Sequence, residues 1–480
     1  MFWIRNADFI ITVDAQRRVI KNGSVIIEDS KILDVGTAGE IEQKYSQRIA
    51  PADILDASGS VVLPGMINTH THVYEHLSRG LIPDNLRTRP WAYNYFLPFQ
   101  AVMTEEEGYV SALFASLDML RSGTTCFIDS DIPVSNAHLE SAAQAISDIG
   151  MRAVLGRSLC DKRPTDLPSF WRPEWVDAVF SRSTGHALDE MENVLRRWAN
   201  KPSGRIRGWA GIHGWLSLCS DELFVKARQL GEKYGVGTEY HIATFIEEAR
   251  ETEKHFGVWP ITYLDRLGAL GPNVLLVHAI AVKDEEVDIL AARGTKVAHC
   301  PGTALKLAKG ASVMGKIPEM LARGVTVGLG ADGVCSCGTF DTTRQMFLVA
   351  GLFKDGRLDP TMIPAETAVE MGTINGAKAL MWEDEIGSIE VGKRADVVLF
   401  NAQRPEWLPI HDVVRNLVYS ANGASVTSVF VDGRLIMRDG KVLTIDEGKL
   451  LGQVQEVGER IARRAGLSSN SVWPVIEGSR

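Results

Sequence analysis

Six cysteines are spread through the 480 residues, and Cys335 and Cys337 form the one pair close in sequence. So few thiols in so long a chain exclude a disulfide-stapled fold, and they are expected to be reduced. No apolar run is long enough to cross a bilayer. Positive charge is scarce too: 51 Lys and Arg face 60 Asp and Glu, a net charge of −9. That balance argues against nucleic acid or an anionic membrane as a partner. The N-terminus lacks the regions of a secretory leader, which makes a cytoplasmic location the default expectation. No G-x-G-x-x-G follows the first buried-strand run, so a doubly wound nucleotide-binding sheet would lack its usual site.

What is present is a repeated theme between about residue 60 and residue 385. Short apolar runs exit into Gly-rich or polar residues, and helical periodicity follows. The runs are "VVLPGMINTH", "GTTCFIDS", "MRAVLGRSL", "IRGWAGIHG", "GVGTEYHIA", "NVLLVHAI", "TKVAHCPG" and "VTVGLGADG". Near-continuous apolar runs separated by helices read as parallel strands buried on both faces. Thr104 with Glu107 predicts a capping box, and helical segments 220–234, 282–293 and 315–323 end near a Gly. Eight such units predict a (β/α)8 barrel over residues 59–385. Both ends of the chain read differently, as strands with turns at Asn22-Gly23, Asp432-Gly433 and Asp439-Gly440. Residues 1–58 with 386–480 are therefore expected to form a small composite β-sandwich domain.

The stretch "INTHTHVYEHLSRG" poses a choice between two metal motifs. From His72, "HVYEH" fits the inverted zinc-protease helix. From His70, "HTH" aims two imidazoles to one side of a strand. Helical periodicity is missing on both sides, so the strand reading stands: His70 and His72 are the expected ligands, and Glu75 and His76 fall outside the metal shell. In a barrel of this kind, catalytic groups gather where strands end. His70 and His72 end the first run, His213 the fourth, His241 the fifth and His278 the sixth; His299 lies in the seventh and Asp332 ends the eighth. One such histidine would more often be structural, but their coincidence at one rim points to a site. Imidazoles and a carboxylate suit a first-row metal that activates water, with Asp332 accepting its proton and His278 orienting it or binding the oxyanion.

"PGMINTHTH", "EYH", "VHA", "VAHCP" and "GADG", in this order, resemble the amidohydrolase superfamily, in the branch holding triazine hydrolases and nucleobase-type aminohydrolases. "IGSIEVGKRADVVLF" resembles that family's return to its β-domain. The resemblance implies one divalent metal, zinc with iron or cobalt as alternatives, held by His70, His72, His241 and Asp332. His278 would orient water, and His299 and His213 would contact substrate or support the ligands. No lysine or glutamate near the fourth strand offers a bridge for a second metal. The aminohydrolase branch also carries H-x-x-E after the fifth strand, whereas "HIAT" places Thr244 there. Threonine is no acid near neutral pH, so hydrolysis of an amide, urea or carbamate is the expected reaction. Such departures, with "HCPGTALKLAKG", resemble mononuclear hydrolases of phenylurea and thiocarbamate herbicides. The alternative is deamination of a purine, pyrimidine or triazine-type heterocycle, with Glu247 or Glu248 as substitute acid unless both lie on a solvated helix start. A catalytically dead scaffold fits poorly with a complete ligand set. Trp91, Tyr93, Tyr95, Phe96 and Phe99 lie in the loop after the first strand, where they either line a pocket for an apolar small molecule or pack the loop. Trp215 is a further candidate wall, and an assembly of two or more copies is expected.

Overall fold

The computed structural model describes residues 1–130, 134–199, 204–469 and 472–476. The apolar runs form parallel strands: β1 (Met66–His72), β2 (Thr124–Asp129), β3 (Arg152–Leu159), β4 (Ile206–Ile212), β5 (Thr238–Ile242), β6 (Val274–His278), β7 (Lys296–His299) and β8 (Val327–Leu329). Each pairs with the next. Beyond β8 the ladder breaks at Gly330 and Ala331, then resumes at Asp332–Gly333, where Asp332 pairs with Thr71 of β1. That last pairing closes the expected (β/α)8 barrel. Every residue of β1, β2, β3, β5 and β6 is buried, which is why these strands read as continuous rather than alternating runs.

Local signals account for the helices around the barrel. Helix Glu105–Arg121 opens on the expected capping box, with Glu107 N–H donating to Thr104 Oγ1 and Thr104 N–H to Glu107 Oε2. Helices Asp221–Tyr234 and Asp284–Arg293 end on Gly235 and Gly294, both at φ +65°.

The second sheet unites the chain ends. Its spatial order runs Lys441–Val442, Arg434–Arg438, Val426–Val431, Val397–Asn401, Ser60–Pro64, Phe2–Ile11, Val19–Glu28 and Lys31–Thr37, with Ile54–Asp56 also pairing against Phe2–Ile11. It buries a core of its own around Ile4, Ile10, Val25, Val62, Val397 and Phe430. Three details differ from expectation. Ser60–Pro64 belongs to this sheet, so the crossing into the barrel falls at Gly65 rather than residue 58. Helix Glu447–Arg464 leaves the sheet and lies on the barrel, where Arg460 and Arg464 pair with Glu107. Asn22-Gly23 makes no turn: the pair sits inside a strand, with Gly23 opposite Ala7. A Cβ on Gly23 would meet Ile10 Cδ1 at 2.5 Å, so close packing is what needs glycine there. Asp432-Gly433 and Asp439-Gly440 do form hairpin turns, all four residues having positive φ.

Candidate metal centre and pocket

Four strand ends converge at one rim of the barrel. His70 and His72 point the same way from β1 because they are two residues apart. His241 comes from β5, His278 ends β6, and Asp332 stands just past the break in β8. Ala243, His278, Ala279 and Asp332 all have positive φ, between +44° and +74°. Such outliers cost on the order of 1 kcal/mol or more each and cluster where geometry serves function. Gly330 permits the break: a Cβ there would lie 2.8 Å from Cys300 Sγ and 2.9 Å from His70 Cβ.

The ring nitrogens face one point. His70 Nε2 lies 3.1 Å from His241 Nε2, and Asp332 Oδ1 lies 3.2 Å from His72 Nε2 and 3.7 Å from His70 Nε2. His70 Nδ1 is 2.7 Å from Glu239 Oε1, and His241 Nδ1 is 3.4 Å from the Ile212 carbonyl oxygen. Those acceptors place the protons on Nδ1 and leave two Nε2 lone pairs facing each other. Such an arrangement is repulsive without a cation between them, and a divalent metal fits it. His70, His72 and His241 group within ligand distance, as do His70, His278 and Asp332. Burial pushes His241 and His278 well below the ordinary imidazole range, which keeps them neutral as ligands or acceptors. Burial alone would raise Asp332, but the His72 hydrogen bond and the neighbouring His278 and Lys309 hold it well below the usual carboxylate range.

"HVYEH" is not an α-helix; Val73–Ser78 is one short 3-10 segment. His76 is buried between Phe114 and Phe340, and its Nε2 lies 3.3 Å from Asp118. Glu75 lies nearer the centre than expected, grouping with His72 and Asp332, while Cys335 Sγ donates to its Oε2 at 2.8 Å.

Beside the cluster opens a pocket walled by Trp91, Tyr93, Phe96, Phe180 and Trp215, with His213, Thr244, His278 and Lys309 as polar groups. The aromatic segment is not a plain loop. Thr88–Trp91 is helical, Ala92–Phe96 forms a π-turn, and Trp91 stacks on Phe96 at 4.9 Å. Both sequence alternatives therefore hold in part: Trp91, Tyr93 and Phe96 line the pocket, while Phe99 is core. His213 joins the wall and stacks near Phe96, but His299 does not. Its ring is buried 5.7 Å from Phe353, with neither nitrogen hydrogen-bonded among the described residues, and burial holds it down to about 3.

Glu239 and Lys309 were not singled out in the sequence, and Glu248 was named there as a substitute acid or part of a solvated helix start. Glu239 sits two before His241 on the same strand face, and a carboxylate inside an apolar run was the signal. Glu248 is buried rather than solvated: Thr244 N–H donates to its Oε2 at 2.8 Å, and burial pushes it up to about 7. Glu247, by contrast, pairs with Arg87 at the surface. Lys309 is 5% exposed, with Nζ 3.4 Å from His278 Nε2.

The model of the amidohydrolase family matches residues 61–436. The chain belongs to the amidohydrolase family. As an amidohydrolase it is a hydrolase of carbon–nitrogen bonds other than peptide bonds that works with a divalent metal. It is 34% identical to 5'-deoxyadenosine deaminase of Methanosarcina mazei over 462 residues, 96% of this chain and 98% of that protein. It is also 34% identical to the 5-methylthioadenosine/S-adenosylhomocysteine deaminase of Desulforamulus reducens, covering 95% and 98%. Among solved structures it resembles an adenosine deaminase from Xanthomonas campestris with bound zinc, at TM-score 0.85, 26% identity and coverage of 96% and 98%. An atrazine chlorohydrolase from Arthrobacter aurescens complexed with zinc shares the fold at TM-score 0.83 and 22% identity, covering 95% and 100%. These findings bear out the superfamily and its triazine hydrolase fold neighbours. The curated relatives are adenosine-type deaminases, which replaces the narrower expectation of phenylurea and thiocarbamate hydrolases. No described helix is long and apolar enough to cross a membrane.

Proposed function

We propose that this amidohydrolase removes an amino group, by hydrolysis, from a nitrogen heterocycle of the adenosine type carrying an apolar substituent. The observation that carries this is similarity to adenosine-type deaminases along nearly the whole chain. The aromatic slot beside the ligand cluster agrees with it, since Trp91, Phe96 and Trp215 suit a flat ring. His70, His72, His241 and Asp332 would hold the metal, which when bound supplies a Lewis acid that makes water acidic enough to attack near neutral pH. Asp332 takes the proton of that water and passes it to the leaving nitrogen. His278 fixes the direction of attack, and His213 packs against the substrate.

A second reading, cleavage of an amide, urea or carbamate, is favoured by Thr244. A carbonyl oxygen needs only a hydrogen-bond donor, whereas addition to a ring is eased further by an acid at its nitrogen, and threonine is no acid near neutral pH. Ammonia release from adenosine, 5'-deoxyadenosine and 5'-methylthioadenosine tests the first reading. Aniline release from N-aryl ureas, anilides and carbamates, with no ammonia from the nucleosides, would replace it with the second.

A further inference from the structure

Lys309 is a buried ammonium with no carboxylate in ion-pair contact among the described residues. Burial makes such a charge costly to keep and pushes the ammonium below its ordinary value, an effect that Asp332 and Glu248 partly offset through space. Backbone geometry nevertheless forces it inward. Helix Pro301–Lys306 ends, Ala308 turns at φ +49°, Lys309 N–H donates to the Ala304 carbonyl at 2.9 Å, and Gly310 follows at φ +81°. A left-handed alanine is strained. The result is that Nζ enters the pocket that Thr244, His278 and Asp332 also line. Lys309 also walls a second cavity, the one with Arg87, Arg250 and Phe245 on its sides. Of the three Nζ hydrogens, His278 Nε2 accepts one at 3.4 Å, which leaves donors for a bound molecule.

We propose that Lys309 donates a hydrogen bond to the acceptor atom attached to the carbon that water attacks. The proposal rests on the reading of this pocket as the hydrolytic site and deepens it, whichever of the two substrate classes is right. As the water oxygen bonds to carbon, the π electron pair moves onto the acceptor, a ring nitrogen or a carbonyl oxygen. The ammonium meets that growing charge without parting with its own proton. The water proton goes to Asp332; the pair then returns, the carbon–nitrogen bond breaks, and the leaving nitrogen takes the proton from Asp332. A charged donor aimed at developing charge in a dry pocket acts mainly on the transition state. Lys309 therefore meets from the seventh βα turn, by a charged hydrogen bond and not by proton transfer, the charge that no acid at 244 meets from the fifth.

Lys309→Met, Lys309→Gln and Lys309→Arg would be purified with zinc and assayed on whichever substrate the two screens yield. Lys309→Met should lose kcat by roughly a hundredfold with KM changed less than threefold and zinc content unchanged, and Lys309→Arg should recover at least a tenth of wild-type kcat. A merely structural lysine would move zinc content or leave the split absent. Binding is read separately from turnover through fluorescence of the pocket tryptophans. Wild-type protein should bind quinoline more tightly than naphthalene, and acetanilide more tightly than ethylbenzene, and Lys309→Gln or Lys309→Met should erase both preferences. If neither screen yields a substrate, the proposed activity fails while the binding preferences still decide on Lys309. Full kcat in Lys309→Met, or preferences that survive it, would overturn the proposal.

Discussion

On one side of the pocket, His72, His241 and Asp332, clustered with His70, project from barrel strands or their immediate ends. On the other, Thr244, Trp215, Phe96 and Lys309 project from turns and short helices beyond the strands. The first side is held by ladders on both flanks and leaves its side chains little choice. The second is shaped by single-turn devices, a π-turn at Ala92–Phe96 and left-handed residues at Ala243 and Ala308. The first side carries the residues expected to hold the metal; the second holds Thr244, where the H-x-x-E pattern is broken, and Lys309. The expected metal-binding groups belong to the rigid side, and the adaptable side supplies the aromatic walls together with Thr244 and Lys309.

Substitutions can separate the two sides, and those on the strand side should cost most. His241→Ala or Asp332→Ala should lower turnover by roughly a thousandfold or more and leave the purified protein with little zinc by elemental analysis. Retained zinc and turnover in either would place the metal elsewhere. On the other side, Thr244→Glu should raise ammonia release from adenosine-type substrates by about a hundredfold and leave anilide cleavage unchanged. No gain in ammonia would mean that the acid at 244 is not what limits deamination here. Glu239→Gln touches the metal only through His70; it should weaken zinc affinity by roughly 10- to 100-fold in a chelator competition, with the pocket preferences untouched.

The smallest effect lies away from the site. Glu107 caps helix Glu105–Arg121 and pairs with Arg460 and Arg464. Burial opposes its charge, but the Arg464 bond and the Thr104 backbone N–H outweigh that and hold it below its ordinary value of 4.5. A depressed carboxylate contributes stability that is present above 4.5 and lost as pH falls through the lower value. Glu107→Gln should cost about 1 kcal/mol at pH 7, and the gap in Tm from wild type should close on acidification toward pH 3. A gap that widened in acid would contradict this sign.

The barrel was legible because double burial leaves a mark that single residues cannot hide: "NVLLVHAI" has nowhere to go but a covered strand. The metal cluster was legible for the same reason, since histidines ending such runs gather at the rim, although His299, which ends β7, stays buried outside the pocket. Glu239 could have been found by the same parity, two residues before His241. Lys309 could not, and Glu248 was legible as a candidate acid but not as a buried one. "ALKLAKG" and "FIEEAR" have the charge density of solvated helices, and their direction is set by φ at Ala308 and by the turn at Ala243–Thr244, which tertiary packing decides. The Asn22-Gly23 pair misled because the glycine answers to Ile10 across the sheet, a contact that local sequence does not display.

The last rung of the barrel, Asp332 against Thr71, falls between the two histidines of β1. The residue that finishes the cylinder is thus also one of those that would grip the ion, about 260 positions along the chain from the histidines of β1. Metal uptake would rivet that seam, joining the first staff of the barrel to the last. Chelation should then lower Tm as well as activity, with the seam exchanging its amide hydrogens sooner than the ladder between β3 and β4.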